Sequence, residues 1–161
     1  VPINGTASQG ETNIRATMPN VTQEAEPLSA AELDEFRRSL RRFVERELMP
    51  FERRPMSDAE RTVIQDRARD AGFWLMDVPA ELGGQGLGLT GMSVFWQEIS
   101  RTIAVPARDH SLFGPVVGPI LLSLTGEQKR RYLDPVLAGE KLTCFAQTEP
   151  DAGSDPASMR T

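Results

Sequence analysis

Reactive side chains are scarce in this sequence, which holds one cysteine, Cys144, and one histidine, His110. A single thiol excludes an internal disulfide and fits a reducing compartment. Cys144 lies in an apolar run, so a packed, inert thiol is expected. A lone histidine with no serine or cysteine elbow makes no nucleophilic triad. With no second His or Cys cluster it makes no metal site either, and the expectation for His110 is a structural or pocket-lining role. Positive charge is also short: Lys and Arg number 18 against 23 Asp and Glu, a net charge of -5. That balance argues against a nucleic-acid module. The cluster Arg37, Arg38, Arg41 and Arg42 reads as a solvated helix face, with Asp34–Arg38 and Arg41–Glu45 spaced four apart. No apolar run is long enough to span a membrane, and no apolar secretory region stands at the N-terminus. The expected location is the cytoplasm, or the mitochondrial matrix for a eukaryotic source.

What remains is enough for one domain with a real core, in a chain of 161 residues that is 39% hydrophobic. Part of the low apolar share comes from Val1 to Glu26, rich in Asn, Thr, Gln, Glu and Gly. Residues 1–27 are therefore expected to form a disordered leader.

Helical signals fill the next hundred or so positions. Ser29-Ala30-Ala31-Glu32 reads as a capping box. Leu33, Phe36, Leu40, Phe43, Val44 and Leu48 follow at three- and four-residue spacing, one stripe ending at Pro50. Ser57-Asp58-Ala59-Glu60 is a second box, with Val63, Ile64, Ala68 and Ala71 as its stripe and Gly72 suited to the C-terminal cap. Phe73 to Val78 is an apolar link and Pro79 to Gly88 a glycine-rich loop. Thr90 is expected to cap a third helix that buries Met92, Phe95, Trp96, Ile99 and Ile103. A fourth helix is expected over about Asp109 to Leu124, with Pro115 and Pro119 disturbing its start. Thr125 with Gln128 opens a fifth, ending at Gly139, which Pro135 is expected to kink. Trp74 and Trp96 read as core anchors rather than stacking platforms.

Gly86-Leu87-Gly88-Leu89-Thr90-Gly91 fits the dinucleotide pattern G-x-G-x-x-G, and Asp109 lies near the spacing of a ribose contact. The context fails, because that fingerprint follows directly on a strand inside a βαβ unit. A loop before the third helix is the better reading.

One convincing strand stands out, Leu142 to Thr148, leading into a turn made of Pro150, Asp151 and Gly153. Such a segment can hold a flat ring and an anion together. A strand edge offers backbone donors and acceptors, and a glycine turn lets backbone N–H groups approach a phosphate. Thr148 can donate to or accept from a ring nitrogen. A lone strand leaves its N–H and C=O groups unpaired, so it is expected to begin a β-rich domain that the chain lacks.

Phe145-Ala146-Gln147-Thr148-Glu149-Pro150 followed by Asp151-Ala152-Gly153-Ser154-Asp155 resembles the flavin-binding segment of the FAD-dependent acyl-CoA dehydrogenase family. Two upstream blocks stand in the family's order. Pro79-Ala80-Glu81-Leu82-Gly83-Gly84-Gln85-Gly86 resembles its loop between two helices. Thr125-Gly126-Glu127-Gln128-Lys129-Arg130-Arg131-Tyr132-Leu133-Asp134-Pro135 resembles the helix before its flavin strand. The resemblance covers about Leu28 to Thr161. One position departs from it: Asp151 stands where the family usually has glycine. A carboxylate facing a pyrophosphate would repel it, so Asp151 is expected to face solvent.

The resemblance implies an all-α fold, a helical array of the family's N-terminal type over residues 28–140. Residues 141–161 would then be the first strand and flavin-binding turn of a truncated middle β domain. It implies FAD as cofactor, with Phe145 and Gln147 lining the flavin through backbone contacts. Thr148 would stand at the flavin N5 region, and Gly153 and Ser154 would hold the pyrophosphate. Ser154 would also touch the thioester arm of an acyl-CoA substrate. The implied reaction is α,β-dehydrogenation of an acyl-CoA thioester with hydride transfer to flavin. The implied electron acceptor is an electron-transfer flavoprotein, and the full-length protein is expected to be a homo-oligomer. Glu149 belongs to the turn. The base that removes the α-proton is expected in a C-terminal domain beyond this chain, so no catalytic residue is assigned here and no metal is implied. The 161 residues by themselves are expected to be inactive, to hold FAD weakly and to expose Leu142 and Phe145. Two alternatives accompany this reading: a flavin oxidase or monooxygenase of the same fold acting on a non-CoA substrate, and a non-catalytic helical interaction module.

Overall fold

The computed structural model of the chain describes residues 28–105 and 111–160. The expected leader over residues 1–27, together with Asp109, His110 and Thr161, lies outside them. Helix α1 (Ala30–Phe43) opens on Ser29, whose hydroxyl accepts from the Glu32 N–H while Glu32 returns to the Ser29 N–H. Helix α2 (Asp58–Asp70) opens in the same way on Ser57 and Glu60. Both boxes satisfy N–H groups that a helix start otherwise leaves unpaired. At the far end of α2 the Gly72 N–H donates to Arg69 and the Phe73 N–H to Ala68. With Gly72 at φ 77°, this is a Schellman stop, and Phe73 is buried against the core as it leaves.

Prolines shape two other helix ends. The α1 rod widens into a π-helical turn over Val44–Leu48 and tightens over Met49–Phe51, around Pro50. After α4 (Pro119–Leu122), helix α5 (Gly126–Gln128) widens over Lys129–Leu133 into α6 (Asp134–Leu137). A proline lacks the N–H its i−4 carbonyl needs, and its ring crowds that carbonyl. For Pro135 that carbonyl belongs to Arg131, which instead accepts from Lys141 Nζ at 3.3 Å. The expected kink is therefore a local widening of the helix.

Helix α3 (Leu89–Ile99) completes the main core. Leu40, Phe43, Val44 and Leu48 of the α1 rod pack with Ile64 and Ala68 of α2, Phe95 and Ile99 of α3, and Leu112 and Phe113. The rings of Phe95 and Phe113 meet edge-on at 5.1 Å, the favoured aromatic geometry. A second cluster joins Leu75, Val78, Val117, Leu133 and Val136. Trp74 and Trp96 sit half-buried at the rims, Trp74 under the Arg69 guanidinium at 3.9 Å and Trp96 edge-on to Phe95.

Across the core, Arg41 forks onto Glu98, Nε to Oε2 at 2.9 Å and Nη2 to Oε1 at 2.7 Å. Sequence spacing pairs Arg41 with Glu45; the structure sends it to α3 because a buried carboxylate needs a partner more than a solvated one does. Glu98 is 1% exposed, and the Arg41 hydrogen bonds hold its carboxyl below the usual 4.5. Asp34 and Arg38 do pair, on the exposed side.

Several expectations are corrected. Gly88, not Thr90, is the N-cap of α3. The helix ends at Ile99, so Ile103 falls outside its periodicity and is 80% exposed. Val63 and Ala71 lie on the outer edge of the α2 stripe and are exposed. The long helix over 109–124 is, among the described residues, a 3₁₀ turn at Ser111–Phe113 and the short α4. Gly114 at φ 112° breaks it, with Pro115 just beyond. Residues 142–148 form no strand among the described residues, because no neighbouring strand offers a ladder. Cys144 is exposed rather than packed, since no second layer covers that segment.

The loop after α2 carries no dinucleotide geometry. The Gln85, Gly86 and Leu87 N–H groups donate to the carbonyls of Leu75, Val78 and Met76. Gly84 lies so close to the Val78 carbonyl that any Cβ would collide with it, which fixes glycine there.

Candidate functional site

The segment after α6 is tied to the helices at two points. Lys141 reaches the Arg131 carbonyl, and the Thr143 hydroxyl donates to the Val116 carbonyl at 3.1 Å. Leu142, between them, is 90% exposed, and Phe145, beyond them, 83%. A small recess of about 20 Å³, room for about one water, opens between α3 and the residues that receive Thr143, lined by Met76, Asp77, Met92, Phe95, Trp96 and Val116 among others.

Glu149 and Ala152 then exchange two backbone hydrogen bonds, 2.9 and 3.2 Å, around Pro150 and Asp151. This is an antiparallel bridge, so Thr148 stands opposite Gly153. Leu75 is the one non-glycine residue at positive φ among those described. Asp151 therefore adopts negative φ, as a type I turn allows and a type II turn does not. The turn has no conformational need for glycine at 151. The Asp151 carboxylate points outward, 3.8 Å from the Arg160 guanidinium. Glu149 accepts from the Arg160 N–H at 2.9 Å and Asp155 from the Ala157 N–H at 3.1 Å, so both carboxylates serve the chain's own fold.

The sequence-predicted residues fall into two groups. Thr148, Gly153 and Ser154 are brought together by the turn and are exposed, while Phe145 and half-buried Gln147 lie on the segment leading into it. A Cβ on Gly153 would meet nothing within 4 Å, so no contact within the chain requires glycine there. An exposed glycine flanked by exposed Ser154, with exposed Thr148 on the other side of the bridge, offers donors of the kind that accept an anion next to a ring. Such donors are chemically compatible with a flavin nucleotide, and the Asp151 carboxylate is engaged toward Arg160. The recess residues were not singled out by sequence; their only signal was apolar spacing, which a core shares.

Among the described residues no group of His, Cys, Asp and Glu could hold a metal ion, and no helix is long and apolar enough to cross a membrane.

Residues 30–140 match the family model described as acyl-CoA dehydrogenase, N-terminal domain. The chain is 35% identical over 130 residues to the mitochondrial short-chain specific acyl-CoA dehydrogenase of Bos taurus, a match spanning 78% of this chain and 31% of that protein. It is 36% identical to the 3-(aryl)acrylate reductase of Clostridium sporogenes, over 78% of this chain and 34% of the reductase. It is 38% identical to the CarC subunit of the caffeyl-CoA reductase–Etf complex of Acetobacterium woodii, over 61% and 26%. Among solved structures, a chain from a study of the electron transferring flavoprotein of Acidaminococcus fermentans superposes with a TM-score of 0.56 at 27% identity, covering 84% of this chain and 36% of that one. The chain thus spans about a third of the length of these proteins.

Proposed function

The chain belongs to the acyl-CoA dehydrogenase family, and we propose that it works as the N-terminal part of a flavoprotein that oxidises the α,β-bond of an acyl-CoA thioester. The observation that carries this reading is the turn: its Glu149–Ala152 bridge stands between Thr148 and Gly153, and both, with Ser154, are exposed. FAD, when bound, supplies the hydride acceptor. In this proposal the Thr148 hydroxyl holds a hydrogen bond at the N5 side of the ring, and Phe145 and Gln147 border it through their backbone. The Gly153 and Ser154 N–H groups hold the pyrophosphate, and the Ser154 hydroxyl also meets the thioester arm. No residue of this chain is assigned as the base. The proposed electron acceptor is an electron-transfer flavoprotein, which the Etf-complex relative and the flavoprotein neighbour support.

A second reading is the same bond chemistry run as a reduction of an α,β-unsaturated thioester. The two reductase relatives favour it, and both directions use the same residues.

The test is made on the full-length protein loaded with FAD. Acyl-CoA is expected to bleach the flavin, or an enoyl thioester to reoxidise it. Thr148→Val is expected to slow that reaction about two- to tenfold, matching one hydrogen bond of about 0.5–1.5 kcal/mol, with FAD retained. An unchanged spectrum and rate would remove Thr148 from the site. The 161-residue chain alone is expected to lose FAD on a desalting column, because one turn offers few bonds against the entropy of fixing a ligand. A yellow, stoichiometric fraction would contradict this.

A further inference from the structure

Leu75 is a buried residue at φ 53°, a conformation that L side chains resist. Three hydrogen bonds hold it there. Its N–H donates to the Phe113 carbonyl at 2.9 Å, and its carbonyl accepts from the Val78 and Gln85 N–H groups at 3.1 and 3.0 Å. The next residue of the facing segment, Gly114, is also in the left-handed half of backbone space, at φ 112°. A Cβ on Gly114 would stand 2.9 Å from Leu75 Cδ2 and 3.2 Å from its backbone nitrogen. Two unusual backbones thus interlock, and a methyl group on Gly114 would push Leu75 aside and strain a left-handed backbone.

The interlock lies between the two sides of the recess. Met76 follows Leu75 on one side, and Phe113 to Val116 continue from Gly114 on the other. Val116 is also the residue whose carbonyl receives the Thr143 hydroxyl. Thr143 is followed five positions later by Thr148, at most about 17 Å of extended chain. Backbone held in a costly conformation by surrounding bonds points to a constraint worth keeping.

We propose that Leu75 and Gly114 are positioning residues. Their interlock fixes Val116 and, through the Val116–Thr143 hydrogen bond, the point at which the segment carrying Thr148 leaves the helical part. The proposal deepens the functional reading above and rests on it. In the reaction, the interlock sets where the turn stands while touching no ligand itself.

The test uses the full-length flavoprotein, with Gly114→Ala for the interlock and Thr143→Val for its outer link, a change outside the core. The readout is the anaerobic rate of flavin reduction at saturating acyl-CoA, beside FAD affinity and the rate of reduction by dithionite, which needs no alignment. Gly114→Ala is expected to lower the acyl-CoA rate about tenfold, as a small misplacement does, and Thr143→Val to lower it in the same direction. FAD affinity and the dithionite rate are expected to stay within about twofold of wild type. A Thr143→Val rate equal to wild type overturns the proposal, and that variant decides the matter if Gly114→Ala does not fold. A parallel fall of all three readouts in Gly114→Ala overturns it too, since the residue would then be serving stability alone. A wild type that no acyl or enoyl thioester reduces or reoxidises overturns the functional reading and this proposal together. A responsive wild type whose two variants reduce their flavin at the wild-type rate overturns the positioning role and leaves the reading intact.

Discussion

The rod at residues 30–51 and the segment at 141–160 are similar in length and opposite in how they are held. The rod buries Leu40, Phe43, Val44 and Leu48, caps its own start and forks Arg41 onto a buried carboxylate. The segment has its hydrogen bonds mostly within itself, is tied to the helices at Lys141 and Thr143, and leaves Leu142 and Phe145 to solvent. Local and core interactions specify the rod completely. The segment fixes one turn and leaves its surroundings to whatever lies against it. Residues on the rod should therefore matter to stability, and residues on the segment to binding.

The sharpest way to break this contrast is to truncate both. Leu40→Ala, at a fully buried site, is expected to cost about 2–5 kcal/mol. Phe145→Ala, despite the larger side chain removed, is expected to change stability by less than about 0.5 kcal/mol. Urea denaturation of the two variants measures both. A large loss from Phe145→Ala would mean that the segment is packed in solution.

Acid should act next, and on the helices rather than on the segment. Arg41 holds the Glu98 carboxyl below its ordinary value of 4.5, and Arg54 first, then Ser57, holds that of Glu60 at about 2. A depressed native value means that the unfolded chain binds the proton more readily. These groups thus contribute stability that is whole at neutral pH. It begins to erode as pH falls to the ordinary value of 4.5 and is lost as pH falls through each native value. Glu98→Gln is expected to flatten the acid limb of a melting-temperature profile; an unchanged limb would show that the Arg41–Glu98 fork adds no pH-dependent stability.

The smallest effect sharpens the segment's side of the contrast. Gly153→Ala meets no neighbour within the chain, so the melting temperature without flavin is expected to stay at the wild-type value. In the full-length protein the added methyl is expected to weaken FAD by about tenfold, or 1.4 kcal/mol. A loss of stability with unchanged flavin affinity would reverse the assignment.

Legibility in the sequence follows the same divide. The two capping boxes, the α1 stripe and the stop at Gly72 rest on contacts within a few residues, and sequence carries those directly. The helix expected over 109–124 fails at Gly114, whose φ of 112° answers to Leu75, thirty-nine positions earlier in the chain. Glu98 carries no local signal of its role, because its partner Arg41 lies across the core. Thr148, Gly153 and Ser154 were legible as a motif, and the turn does bring them together. Their bound ligand is not a property of these residues alone. The recess remained hidden because Met76, Met92 and Trp96 differ from core residues only in what they leave empty.

The Arg41–Glu98 fork has a further consequence, in the order of folding. Its partners are 57 residues apart, whereas the Ser29 and Ser57 caps close over three. Short closures lose little chain entropy and form early; a long one must wait until the intervening chain is compact. The two capped helices are thus expected to flicker into existence before α3 docks. The last step draws Glu98 out of water, and Arg41 must already be at hand when it does. A chain emerging residue by residue would hold α1 and α2 as an open pair until position 98 arrives to close them.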